Sequence, residues 1–164
     1  MQTLKIILFL SFLITGPWTE MKVIAQDERL FDRQEPLEII IRTDLMKLLA
    51  SRDDEDDYQE AMIKVVMTSG EDIELPVGIK TRGNFRRDSS NCDFPPIRLN
   101  FKKSHIRDHF FEGNEKIKIV THCKSGVPEF EQFIAREFIT YRVYNLISPL
   151  SFQVRFARIH YEDT

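Results

Sequence analysis

The chain has 164 residues, with 23 basic and 26 acidic side chains, a net charge of −3 and 42% hydrophobic residues. A mildly acidic total argues against a general nucleic-acid binder, which needs surplus Lys and Arg to displace counterions. The composition also holds no apolar run of the roughly 20 residues that a transmembrane helix requires.

Residues 1–25 read as a secretory leader. Lys5 precedes an apolar run over 6–14, Gly16-Pro17 breaks it, and Val23-Ile24-Ala25 has the small-residue spacing for cleavage after Ala25. An uncut N-terminal anchor is the alternative, although the run is short for a stable span. No cysteine follows the run, so no lipid anchor is expected at the cleavage point. The protein is therefore expected to be exported, to the periplasm or beyond. The remaining residues 26–164 carry 21 basic and 25 acidic side chains, net −4, a length that suits one domain with one core. Cys92 and Cys123 are expected to pair, because an even cysteine count in an oxidising compartment makes a disulfide the default; two buried free thiols are the alternative. The four histidines, at 105, 109, 122 and 160, are scattered, so no metal site is expected.

After a polar lead-in, residues 37–42 (LEIIIR) read as a short buried strand. Thr43 is placed to cap a short helix over DLMKLLAS, with Asp44 in its first turn. The run RDDEDDYQE packs six acids into residues 53–60 but lacks the ligand rhythm and central glycine of an EF-hand, so it reads as a solvated linker. Residues 60–68 and 73–82 flank Ser-Gly-Glu-Asp as a hairpin. Pro76 cannot donate to a ladder, which puts the second strand at an edge or bulges it there. Two alternating strands follow, IRLNFKK over 97–103 and EKIKIVTHC over 115–123. They pair antiparallel with Phe101 expected near Lys116. Pro128, with Glu129 and Glu131 behind it, starts the longest helix, over about 128–147. Its stripe Phe130, Phe133, Ile134, Phe138, Tyr141 and Tyr144 reads as core. Pro149 ends the helix, and FQVRFARIHY supplies a last strand. The fold class is α+β, a mostly antiparallel sheet backed by one long helix.

Strand parity sends Ile79, Leu99 and Ile119 to one face and Lys80, Arg82, Arg98, Lys102, Lys116 and Lys118 to the other. Such a face either binds an anion or is a solvated surface that discourages edge pairing. The loop RGNFRRDSSNCDFPP favours the first reading. Gly83 permits a special backbone turn, and Phe94-Pro95-Pro96 is rigid and apolar.

The segments VGIKTRGNFRR, FPPIRLNFKK, FEGNEKIKIVTHC and EQFIAREFITYRVYNLI resemble the N-terminal part of the CotH-like (spore-coat protein H) atypical kinases, in an exported branch of that family. The likeness covers about residues 75–161. It implies a kinase-N-lobe-like fold in which a strand lysine holds ATP phosphates and a helix acid orients it. Lys118 matches the lysine and Glu137 the acid, with Glu131 in reserve; Lys80, Arg82 and Arg98 complete the phosphate-binding set. One departure is that better-known CotH proteins carry Asn at the Glu137 position. The family's catalytic base and metal-binding aspartates come later in its chain. The resemblance therefore implies ATP and Mg²⁺ for a full-length form, with neither required by this chain and no catalytic residue within it. The chain is expected to be the N-terminal part of a longer CotH-like domain, completed by a C-terminal continuation, or a product lacking the catalytic half. The alternative is a non-catalytic exported module whose basic face docks an anionic envelope ligand or a protein.

Overall fold

The computed structural model describes residues 28–52, 57–68 and 71–164. The expected leader, most of the acidic run and the Ser69-Gly70 turn lie outside the described residues. Six strands form a single sheet: β1 (Leu37–Thr43), β2 (Gln59–Val66), β3 (Ile73–Thr81), β4 (Ile97–Asn100), β5 (Lys116–Ile119) and β6 (Ala157–Asp163). Their order is β5-β4-β3-β2-β1-β6. Every neighbouring pair is antiparallel except β1 and β6, which run parallel. Among the described residues, three α-helices, α1 (Leu45–Ala50), α2 (Lys103–Ile106) and α3 (Pro128–Ile147), and one 3-10 turn at Phe85–Arg87 accompany the sheet. The chain is α+β and mostly antiparallel, as its patterning predicts.

The period-2 alternation decides which face is core. Ile39 and Ile41 of β1, Ile63 and Val65 of β2, Val77 and Ile79 of β3, and Ile97 and Leu99 of β4 are all buried on one side. Phe101, Ile106, Phe110 and Phe111 close one end, with Phe101 and Phe111 stacked at 4.6 Å between ring centres. The sheet is curled. Phe94, just before β4, meets Tyr161 of the opposite edge strand with ring centres 5.0 Å apart. α3 carries the chain from edge strand β5 to edge strand β6. Its 20 residues span about 30 Å, enough to cross six strands spaced by about 4.8 Å.

Five expectations need correction. The β4–β5 register sets Asn100, rather than Phe101, opposite Lys116. Facing residues share a side of the sheet, so Leu99 must meet Ile117, and the apolar parity forbids the one-residue offset. Thr43 does not cap α1. It is the last residue of β1, buried, with its hydroxyl donating to the Glu60 carbonyl, and Asp44 caps the helix by accepting from the Lys47 amide. β3 is not an edge strand, but β4 pairs only with Gly78–Thr81, so one side of Pro76 is open and no ladder bond is lost there. The last strand begins at Ala157, and residues 152–156 lie outside it. The α3 stripe is not core throughout. Phe130, Ile134, Phe138 and Tyr141 are half-buried, whereas Phe133 and Tyr144 are exposed, and no α3 residue is fully buried.

Candidate phosphate-binding face

The outward face of β3, β4 and β5 carries a row of cations. Lys80 lies directly opposite Arg98, and Arg98 directly opposite Lys118. At the usual strand spacing the three side chains leave the sheet about 4.8 Å apart. The next row along the strands is Gly78, Asn100 and Lys116. Arg82 continues β3 past Lys80, its amide donating to the Pro96 carbonyl at 2.8 Å. Lys80 Nζ sits 5.0 Å from the centre of the Tyr58 ring. Gly78 makes room for that ring, since a Cβ there would come within 3.0 Å of the Tyr58 Cβ. Like charges placed directly opposite on neighbouring strands repel, so the row lowers stability when nothing neutralises it.

The other half of the same face is arranged differently. Arg42 bridges Glu74 at 2.8 Å and Glu162 at 2.5 Å, Lys64 meets Asp72 at 2.8 Å, and Arg158 meets Glu38 at 2.5 Å. The hydrogen bond from Lys64 holds the Asp72 carboxyl below the ordinary aspartate range, and Glu162 raises the Arg42 guanidinium. Across β1, β2 and β6, cations are matched to acids. Among the described residues, Arg98, Lys116 and Lys118 form no ion pair. Among the described residues, the unpaired positive charge of this outward face therefore lies over β4 and β5.

The loop beside the row is held by many bonds. Gly83 adopts φ of 96°, which a side chain resists. Arg87 is buried and its Nε donates to the Gly83 carbonyl at 2.5 Å. Asp88 accepts from the amide and hydroxyl of Ser90, which lowers its carboxyl below the usual range. The pair Cys92–Cys123 is disulfide-bonded with its Cα atoms 4.7 Å apart, tying the loop to the chain just before α3. Arg52, which carried no signal in the sequence, is the central clamp. Its guanidinium donates to the carbonyls of Leu49, Arg87, Cys92 and Asp93 at 2.7–3.2 Å. Its position between α1 and the acidic run disguised it as one more linker charge.

The strand register sets Lys80, Arg98 and Lys118 in one row, with Arg82 next along β3, while the Lys118 ammonium is turned toward Phe152 at the cavity under α3. Glu137 is not part of that row: it lies on α3, which crosses the apolar side of the sheet. Lys118 and Glu137 border the same cavity of about 210 Å³ under α3, but no ion pair joins them. Lys118 Nζ sits 4.8 Å from the centre of the Phe152 ring. Glu137 also borders a second cleft, shared with Arg86 and Phe130 beside the loop. Glu131 is exposed in the first turn of α3. No group of three or more His, Cys, Asp or Glu among the described residues is arranged to hold a metal ion, and no helix among them is long and apolar enough to cross a membrane.

No family model matches the chain, and no curated protein and no solved structure matches it.

Proposed function

We propose that this chain is the phosphate-binding, kinase-N-lobe-like part of an exported CotH-like atypical kinase, and that Lys80, Arg98 and Lys118 receive the phosphates, with Arg82 beside them. The observation that carries this reading is the in-register row of three cations, two of them without an ion pair among the described residues, on a face whose other half is neutralised. An anion seated on the row removes the repulsion between its members and gains charge-assisted hydrogen bonds. The residues present fit the phosphates of a nucleotide better than its metal, since the outward positions of β4 and β5 carry Arg98, Asn100, Lys116 and Lys118 and no acid. Mg²⁺, where a full-length form supplied acids for it, would neutralise the phosphates further. The disulfide is consistent with export.

One observation favours the second reading, a non-catalytic exported module for an anionic envelope ligand. The helix acid Glu137 is unpaired with Lys118 and stands apart from Lys80 and Arg98. The two readings separate on ligand and variant. Titration with ATP should give weak, salt-sensitive binding that falls about tenfold or more in Lys118→Met, as expected for loss of one charge-assisted contact, with no phosphate transfer. ATP binding that survives Lys118→Met unchanged, or retention of an acidic polymer with no nucleotide binding, would overturn the kinase-like reading in favour of the module.

A further inference from the structure

We infer that the outer face of α3 is a homodimer interface, on which a second copy of this chain docks with its own α3 antiparallel. The helix is apolar on two opposite sides. Ile134, Phe138 and Tyr141 point toward the sheet and are half-buried. On the opposite side Ile139, Val143 and Leu146 follow one another at intervals of four and three residues, with Ile147 beside them and Tyr144 at the margin, and Leu150 lies past the helix end, beyond Ser148 and Pro149. All six are more than half exposed, and Leu146 and Leu150 reach 84% and 94%. A helix that is hydrophobic all round belongs in an interior, so the outer side needs a cover that the described residues do not supply.

The spacing and the area specify that cover. Apolar residues every 3.5 positions form the seam by which one helix packs along another, and a seam of this kind fits its own copy. At roughly 200 Å² for a fully exposed large side chain, the five on the helix present about 650 Å², slightly above the 300–600 Å² of a typical monomer's largest patch. Two such faces bury about 1,300 Å² together, at the lower end of the range for a specific interface. A two-fold axis near Val143 sets Ile139 of each copy against Leu146 of the other, burying both ends of the stripe, and the antiparallel arrangement opposes the two helix dipoles favourably. Lys80 and Arg98 lie on the other side of the sheet and stay open in such a dimer.

Sedimentation velocity and light scattering on the purified chain, from low to high micromolar concentration, provide the test. The expected result is a reversible monomer–dimer equilibrium that Val143→Glu/Leu146→Glu abolishes, with thermal unfolding still cooperative because both positions are exposed in the monomer. A second measurement sets the geometry. Val143→Cys should give a covalent dimer under mild oxidation, whereas Glu129→Cys, far from the axis, should not. A chain that stays monomeric throughout, whether bare or covered by another protein, would overturn the inference. So would a dimer that survives the double substitution.

Discussion

Replacing both Cys92 and Cys123 by Ala should cost the domain about 3.5–4 kcal/mol. The bridge joins residues 31 apart, and a closed loop of that length removes about that much chain entropy from the unfolded state. Both side chains are buried and the loop is otherwise fixed by Arg52 and Arg87, so the loss should appear in global unfolding as well as in local fraying. With a urea dependence of about 1.5–2 kcal/mol/M, the midpoint should fall by roughly 2 M. Against a total stability of about 5–15 kcal/mol, that is a large fraction. Equilibrium urea unfolding followed by far-UV circular dichroism measures it, with reduced wild-type protein as a control that should match the double variant. Equal midpoints for oxidised wild type and the double variant would refute the reasoning. Two reactive thiols in denatured, unreduced protein would refute the bridge itself.

Arg52→Ala removes four hydrogen bonds to backbone carbonyls and should destabilise by about 2–3 kcal/mol, with limited proteolysis newly cutting within residues 85–93; an uncut loop would show that the clamp is redundant. Asp88 is held below its ordinary range by Ser90, so its contribution is present above the unfolded aspartate value of about 3.9 and is lost as pH falls through the folded value. Asp88→Asn should therefore lower the melting temperature at pH 6 and narrow the gap to wild type toward pH 2, and a gap that does not change with pH would contradict this. Burial raises the Tyr161 phenol above its usual value near 10. The stability tied to its neutral form is complete below that value and lost as pH rises beyond it, so absorbance at 295 nm should show Tyr161 ionising only as the protein unfolds.

Strand parity carried most of what was legible. The segment 77–81 of β3 and the whole of β4 set apolar residues against non-apolar ones in alternation, and that alone separates the buried Ile79 and Leu99 from Lys80 and Arg98. The proline at the start of α3 likewise marked that helix at its true first residue. What parity cannot give is the neighbour of a strand. β6 runs parallel to β1 across a separation of 120 residues, and its sequence has nothing that distinguishes a parallel from an antiparallel partner. The aromatic stripe of α3 misled because helical spacing reports a common face without reporting depth. Phe133 sits at one margin of the stripe facing water, whereas Phe138 stacks on Phe156 at 4.0 Å. Arg52 was illegible for a related reason, since carbonyls as partners leave no complementary charge in the sequence.

Mapping a phosphate titration by amide chemical shifts tests the central claim most directly, using inorganic pyrophosphate on wild type and Arg98→Gln. Arg98 is the middle of the row, opposite both Lys80 and Lys118, so its loss removes one contact and the bridge between the other two. The account predicts saturable shifts concentrated at residues 80, 98 and 118, weakening with salt, and an affinity about tenfold or more lower in Arg98→Gln. Shifts that gather instead on the neutralised half of the face around Arg42 and Lys64, or an affinity unchanged by Arg98→Gln, would contradict it.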